Sequence, residues 1–351
     1  MLVENVLIVD PVDGEYVGTI EFEDVILEIK KSNKSRYEHI LMAAFVDPHI
    51  HGIKGIDTMT ASQEDFERFK EYEALEGVWY FQPTTVTCPL NELRKIKIPS
   101  NLKLHIEGPF IAPKRKGAHN ESYIQSPPKD VRELEQYLVL SSIGMITVAP
   151  EYDSFLDFAK SCDLNNIRIS IGHTDATFAQ AKKTSENGFR RITHFPNALS
   201  PLHHRELGVT GAGLLLDFTL EIIADGIHCA PEFVNLVYKV KGAEKIILVT
   251  DSISATGLED GSYMLGDLHV RVENGIAKLS DGTLAGSTLR FSQAVKNFAK
   301  FTGCSLKELS MVSSYNACKD LRIKGGRIKE GYPAKLVLLD EELNIKKTWN
   351  F

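Results

Sequence analysis

The sequence predicts an α/β protein with two parts, a (β/α)8 TIM-like barrel and a small β-sandwich domain formed by the N- and C-terminal segments. The first observation is that short apolar segments alternate with helical segments through the middle of the chain, as in proteins with parallel barrels. The second is that both ends alternate apolar and polar residues with the period of a strand. The predicted boundaries are residues 45–329 for the barrel and residues 1–44 plus 330–351 for the small β-domain.

Eight apolar segments are predicted to be the barrel strands. They are residues 45–47, 78–82, 103–106, 145–148, 168–171, 190–193, 221–224 and 246–250. Helices are predicted between several of them, at residues 64–75, 178–187, 232–241 and 287–301. In the first helix Phe66, Phe69, Tyr72 and Leu75 are expected on the buried face, behind an N-terminal cap at Ser62.

The two ends of the chain are expected to pair with each other. Residues 5–9, 19–22 and 25–29 near the beginning, and 335–339 and 345–349 near the end, are predicted strands separated by polar turns. This pairing would form the small β-domain.

Composition excludes several classes of protein. With 351 residues, 43% hydrophobic and 25% charged, the chain resembles an ordinary globular protein rather than a disordered or coiled-coil one. The net charge of -7 argues against nucleic acid as a partner. No stretch approaches the roughly 20 apolar residues that cross a bilayer. Five cysteines without a close pair, and a beginning unlike a signal peptide, predict a cytoplasmic protein.

Polar residues follow the predicted barrel strands at one end. His49 and His51 follow the first strand, and the later strands are followed by Glu107, His173, His194, His228 and Asp251. The carboxyl ends of barrel strands meet at the face where barrel enzymes place their active sites. We therefore expect these side chains to converge.

The residue types predict a divalent metal, Zn²⁺ or Fe²⁺, with one or two ions per chain. Imidazole and carboxylate ligands suit these ions, and the two histidines of His49-Ile50-His51 point to the same side of an extended chain. Taken singly, each histidine could be an ordinary hydrogen-bonded residue, and Asp251 could cap a helix. The set as a whole would then require several coincidences. His203 and His204 are adjacent and are expected to be loop residues.

Several segments carry a more specific resemblance. They are residues 45–52 (FVDPHIHG), 105–110 (HIEGPF), 116–119 (KGAH), 172–176 (GHTDA), 193–198 (THFPNA), 225–228 (DGIH), 248–251 (LVTD) and 283–287 (TLAGS). On these segments the chain resembles the N-acetylglucosamine-6-phosphate deacetylases, a family of the amidohydrolase superfamily. The resemblance extends in register over nearly the whole chain.

The resemblance implies a role for each matching residue. Glu107, His173 and His194 would be the primary metal ligands, and His49 and His51 would allow a second ion. The residues implied around the sugar phosphate are Ala118, His119, Asn197, Ala198, Arg205, His228, Thr283, Leu284, Ala285 and Gly286. Because the family's counterpart of Arg205 reaches the phosphate in a neighbouring subunit, a homodimer is also implied.

The implied reaction is hydrolysis of an acetamide by metal-activated water, giving acetate and an amino sugar phosphate. Asp251 would take the proton of the water and return it to the departing amine, while His119 or His228 would stabilise the oxyanion.

Alternatives remain open at this point. The substrate could be N-acetylgalactosamine 6-phosphate, which differs only at carbon 4. A cyclic amide is less favoured because no lysine stands out as a metal-bridging residue. A sugar-phosphate sensor without catalysis is the alternative from another class, although such a protein would not need the proton carrier Asp251.

Overall fold

The computed structural model describes residues 1–349 and consists of strands and helices in alternation. In chain order the strands are β1 (Leu2–Asp10), β2 (Gly14–Phe22), β3 (Ile26–Lys31), β4 (Ile40–Ala43), β5 (Phe45–Ile50), β6 (Gly52–Ile53), β7 (Ile56–Asp57), β8 (Val78–Pro83), β9 (Leu104–Glu107), β10 (Ile143–Val148), β11 (Arg168–Ile171), β12 (Arg191–Ile192), β13 (Thr219–Ile222), β14 (Ile246–Leu248), β15 (Gly261–Leu265), β16 (Leu268–Glu273), β17 (Ile276–Lys278), β18 (Leu336–Leu339) and β19 (Ile345–Trp349). The α-helices are α1 (Gln63–Leu75), α2 (Phe155–Leu164), α3 (Phe178–Glu186), α4 (Gly208–Leu215), α5 (Pro231–Lys241), α6 (Phe291–Thr302), α7 (Leu306–Ser310) and α8 (Asn316–Leu321), with a π-helical segment Met311–Tyr315 between α7 and α8.

The central strands are parallel and follow one another in the order predicted for a barrel. β9 to β14 form a six-stranded sheet in chain order, and β5 pairs with β8 in a second sheet. At one seam the Thr85 N–H donates to the carbonyl of His105 at 3.0 Å, and at the other the Asp251 N–H donates to the carbonyl of His49 at 2.9 Å. The strands thus form an α/β TIM-barrel-like domain, but the predicted closed barrel is not present as one continuous sheet. Between β8 and β9 the strand pairing is reduced to an isolated bridge between Thr84 and His105, and β14, at the other seam, is only three residues long.

Burial on both faces of the sheet explains why the sequences of these strands are continuously apolar. Every residue of β10 and β14 is buried. Parallel strands covered by helices have no solvent-facing side, so alternation disappears from their sequence. β13 begins two residues before the predicted start at 221, because Thr219 and Leu220 pair with β12.

Helix α1 shows how local chemistry sets a boundary. The Ser62 side chain accepts a hydrogen bond from the Asp65 N–H, and the Asp65 side chain accepts one from the Ser62 N–H. This capping box satisfies two donors at the helix start. Phe66 and Phe69 are buried as predicted, but Leu75 is 72% exposed. Leu75 follows Phe66 by nine residues, which at about 100° per residue places it on the opposite face.

Two further features differ from the sequence-based expectation. The predicted helix 287–301 begins only at Phe291, because Ser287 lies in the loop before it. There the hydroxyl of Ser287 donates a hydrogen bond to the carbonyl of Thr250 at 2.6 Å. In addition, β15, β16 and β17 form an antiparallel three-stranded sheet that was not predicted.

The terminal segments meet in one six-stranded sheet, in the order β19-β18-β4-β1-β2-β3. One face carries its own apolar cluster, which includes Ile8, Phe22 and Trp349. Residues of the other face, such as Val9 and Met42, belong to the main core. Because that face packs on the main core and not on a second sheet, the predicted small β-sandwich is not confirmed. The proposed domain boundaries stay a prediction.

No helix within residues 1–349 has the length and apolarity to cross a membrane.

Replacement of Phe22 by Ala tests the contribution of the terminal sheet. The Phe22 ring packs edge-on against Trp349 with centroids 5.7 Å apart and is fully buried. Loss of a buried phenylalanine should lower the free energy of unfolding by about 3–5 kcal/mol, measured by urea denaturation. The control Leu2→Ala, at a position that is 58% exposed in β1, should change it by less than about 0.5 kcal/mol. Equal losses in the two variants would contradict this packing.

Candidate metal and substrate site

Five of the predicted site residues lie at the carboxyl ends of the barrel strands. Glu107 is the last residue of β9, and His51 follows β5 directly. His173 and His194 come two residues after β11 and β12, and Asp251 comes three after β14. The parallel direction of the strands therefore brings them to one end of the sheet.

Three of these residues have a left-handed backbone conformation that residues other than glycine rarely adopt. Their φ angles are 46° at His173, 30° at His194 and 51° at Asp251. Such conformations cost of order 1–3 kcal/mol each and concentrate at functional sites. Here the chain turns immediately after the strand and points each side chain toward the common centre.

Glu107, His173 and His194 form one buried group with the geometry of metal ligands. Oε1 of Glu107 lies 3.0 Å from Nε2 of His194 and 3.2 Å from Nε2 of His173. The two Nε2 atoms lie 2.9 Å apart. Ligands about 2.0 Å from a tetrahedral ion are roughly 3.3 Å from one another, so these three atoms are spaced to hold one divalent ion.

His49, His51 and Asp251 form a second buried group beside the first. The Nε2 atoms of His49 and His51 are 3.4 Å apart, and Oδ1 of Asp251 lies 3.4 Å from the first and 3.1 Å from the second. The His-x-His spacing thus brings both rings to one point, as predicted.

The Glu107 carboxylate lies between the two groups. While Oε1 faces His173 and His194, Oε2 lies 3.3 Å from Nε2 of His51 and 3.6 Å from Nε2 of His49. One side chain therefore contacts both sets of ligands.

Hydrogen bonds to the other ring nitrogen fix the orientation of two ligands. Nδ1 of His51 donates to the carbonyl of Thr84 at 3.2 Å, and Nδ1 of His173 donates to the carbonyl of Arg115 at 2.8 Å. A carbonyl only accepts, so the Nδ1 atom must carry the proton and Nε2 is free to bind an ion.

The charges of the cluster also fit a cation. Burial opposes ionisation of Glu107 and Asp251, yet the facing histidines, led by His49, hold the pKa of both carboxyls well below its ordinary value. Burial likewise opposes a charge on His51, but hydrogen bonds to Asp251 and Glu107 raise its pKa to about 9. Carboxylates that favour positive charge on their neighbours also favour a divalent ion at the same place.

A cavity of about 360 Å³ opens above the cluster. The predicted residues that line it are His51, Glu107, Ala118, His119, His173, His194, Asn197, Ala198, His228, Asp251, Thr283, Leu284 and Gly286. His49 and Ala285 are fully buried and do not line it. The Thr87 N–H donates to Nδ1 of His119 at 3.0 Å, so the proton of neutral His119 lies on Nε2.

Arg205 lies outside this cavity. It is exposed, and its Nη1 lies 2.9 Å from Nε2 of His204. His203 and His204 are exposed as well, as expected of loop residues. The predicted contact of Arg205 with a neighbouring subunit stays a prediction.

Sequence reasoning missed three charged residues of the site. Lys114 and Arg115 line the cavity, where both are paired with Asp175. Glu221 is fully buried, and its Oε2 accepts a hydrogen bond from Nδ1 of His49 at 3.0 Å. Glu221 is a charged residue within an apolar strand, and this was the signal that could have identified it.

Comparison with known proteins agrees with this geometry. Residues 40–351 match the model of the amidohydrolase family. An N-acetylglucosamine-6-phosphate deacetylase of Lysinibacillus sphaericus is 39% identical over 322 residues, which cover 88% of this chain and 83% of that protein. An N-acetylgalactosamine-6-phosphate deacetylase of Escherichia coli O157:H7 is 32% identical over 338 residues, covering 92% of this chain and 89% of that protein.

The crystal structure of N-acetylglucosamine-6-phosphate deacetylase from Thermotoga maritima superimposes with a TM-score of 0.93 and 49% identity. The match covers 99% of this chain and 97% of that one. The chain therefore belongs to the amidohydrolase family, and its resemblance to the N-acetylglucosamine-6-phosphate deacetylases is confirmed.

Proposed function

We propose that this chain hydrolyses N-acetyl-D-glucosamine 6-phosphate to D-glucosamine 6-phosphate and acetate in a metal-dependent reaction. The observation that carries the proposal is the pair of ligand groups joined by Glu107 beneath a cavity at the carboxyl ends of the strands. The sugar phosphate is suggested by the relatives, of which the Thermotoga maritima enzyme is 49% identical.

The ligands of the first ion would be Glu107, His173 and His194, and those of a second ion would include His49 and His51. A divalent ion, Zn²⁺ or Fe²⁺, supplies activation of water and polarisation of the amide carbonyl when it is bound. The same donor set accepts either ion.

Asp251 is the proposed proton carrier. Its pKa is lowered, although burial opposes this, because His49 and His51 surround it. At neutral pH it is therefore a carboxylate that accepts the proton of the attacking water. The acquired proton then passes to the departing amine nitrogen, so that Asp251 acts first as base and then as acid.

His119 is the proposed donor to the oxyanion. Because its Nδ1 accepts from the backbone of Thr87, its Nε2 carries the proton, and this nitrogen lies 3.5 Å from Oε2 of Glu107 at the floor of the cavity. A donor placed before the reaction begins stabilises the charge that develops on the carbonyl oxygen. His228 is the alternative, with Nδ1 held by Asp225 at 2.6 Å.

The remaining predicted residues would hold the sugar phosphate. Asn197, Ala198, Thr283, Leu284 and Gly286 line the cavity and would supply backbone groups, with Ala285 buried behind them, and Arg205 of a neighbouring subunit in a homodimer would bind the phosphate. We also infer that the eight central strands act as one (β/α)8 barrel, with the terminal sheet as a separate small domain.

The cysteines support a location in the cytoplasm. All five are free and four of them are buried, as expected of a protein in a reducing compartment.

Acetate release from three sugars tests the proposal. The protein, purified without chelator, should release acetate from N-acetylglucosamine 6-phosphate but not from unphosphorylated N-acetylglucosamine. Activity should disappear on chelation and return with Zn²⁺ or Fe²⁺. N-acetylgalactosamine 6-phosphate is the comparison for the epimer, because one relative carries that name. Faster release from the galactosamine sugar would replace the proposed substrate, and tight sugar binding without release would favour the sensor alternative.

Asp251→Asn should lower kcat by about 10²- to 10⁴-fold, because asparagine cannot carry the proton. Binding of the sugar phosphate, measured by calorimetry, should remain. The control Asp267→Asn removes an exposed carboxylate that contacts Asn120 and should leave kcat unchanged. Near-normal turnover in Asp251→Asn would exclude Asp251 as the proton carrier.

Arg205→Ala should raise KM for the phosphorylated sugar, and a mixed dimer should reveal where Arg205 acts. At substrate concentrations well below the KM of Arg205→Ala, co-assembly of Arg205→Ala chains with Asp251→Asn chains should restore about a quarter of the wild-type activity, because about half of the dimers are hybrids with one complete site. Arg322→Ala, which also removes an exposed arginine, is the matched control for KM. Absence of restored activity would place Arg205 in its own subunit's site, and an unchanged KM in Arg205→Ala would place it outside the site.

A further inference from the structure

A chain of charged side chains passes through the interior of the barrel to the metal cluster. Nδ1 of His49 lies 3.0 Å from Oε2 of Glu221 on β13. The other oxygen, Oε1, accepts from Nε of Arg191 at 2.8 Å and from Nη2 at 2.6 Å. Nη1 of Arg191 in turn pairs with Asp320 on α8. The side chains of Glu221 and Arg191 are 0% and 2% exposed.

The far end of this chain is open to solvent. Arg191 and Asp320 line a cavity of about 800 Å³ near the amino ends of β11 to β14, opposite the proposed active site. The Asp320 side chain is 18% exposed. The charged chain thus connects the two ends of the barrel.

Glu221 contacts a ligand from each metal group. Besides binding the His49 ring, its Oε2 accepts from the backbone N–H of His194 at 3.2 Å. That N–H belongs to one of the residues with positive φ. A carboxylate that accepts from three other N–H groups, two of Arg191 and one of the His194 backbone, is ionised, so the Nδ1 atom of His49 must donate and its Nε2 faces Asp251 and Glu107.

We infer that Glu221, Arg191 and Asp320 are positioning residues that hold His49 in the orientation and tautomer required to bind an ion. Arg191 holds the carboxylate of Glu221 in one rotamer through two hydrogen bonds, and Asp320 holds Arg191. Outer partners of this kind typically change metal affinity by about 10- to 100-fold when they are removed.

A purely structural role is the competing explanation, since a buried ion pair also affects folding. Single replacement of a buried partner leaves the other charge unpaired, so some variants are expected to fold poorly. Asp320→Asn avoids this difficulty, because it changes the partly exposed end and keeps an acceptor oxygen for Arg191.

The test is a calorimetric titration of metal-free protein with Zn²⁺, together with the melting temperature of the same metal-free protein. In Arg191→Met the affinity for the ion that binds His49 should fall about 10- to 100-fold. In Arg191→Lys, which keeps the charge, the affinity for this ion should fall less. In Asp320→Asn it should fall several-fold, with little change in melting temperature. The control Arg190→Met removes the neighbouring exposed arginine, which pairs with Asp217, and should bind Zn²⁺ like the wild type.

A lower melting temperature with unchanged Zn²⁺ affinity in Asp320→Asn and in each folded Arg191 variant would overturn the inference. Wild-type protein that binds a single ion, with an affinity that Asp320→Asn does not change, would overturn it too. The inference rests on the metal-dependent function proposed above, but the two are measured separately. Weaker Zn²⁺ binding in a protein that releases no acetate from any sugar would support the positioning role and reject the proposed reaction.

Discussion

The position of the Glu107 carboxylate between two groups of ligands is the constraint on which the rest of the site depends. Its two oxygens face different histidines, at 3.0 and 3.2 Å on one side and 3.3 and 3.6 Å on the other. A buried carboxylate without partners would be costly, and here each oxygen has cationic or ion-binding neighbours. The two groups of candidate ligands meet at this carboxylate, and the histidines that face it, His49 and His51, are also those that lower the pKa of Asp251.

The barrel strands make this convergence possible. The ends of β5, β9, β11, β12 and β14 each place a candidate ligand at the same end of the sheet, and three of these residues have a left-handed backbone. The interior below the ligands is unusually polar, with Glu221 and Arg191 buried in place of apolar residues. In the positioning role inferred above, that polar layer supports His49 from within the barrel.

The positions of the strands and of the candidate ligands could be predicted from the sequence, whereas exact boundaries and long-range contacts could not. The eight strand segments were identified because buried parallel strands leave continuous apolar runs, and the convergence of the candidate ligands was predicted because those residues follow the runs. The length of β13 and the start of α6 depend on pairing and loop contacts that local sequence does not encode. Leu75 is exposed because, nine residues after Phe66, it lies on the opposite face of α1. The role of Glu221 depends on a contact with His49, which lies 172 residues away in the sequence.

Anomalous diffraction from crystals of the protein grown with Zn²⁺ tests the central claim most directly. Data collected on either side of the zinc absorption edge locate each ion independently of the protein atoms. We predict an ion within about 2.0–2.2 Å of Oε1 of Glu107 and Nε2 of His173 and His194. A fully loaded crystal in which zinc lies elsewhere, and in which Glu107 contacts no ion, would contradict the account.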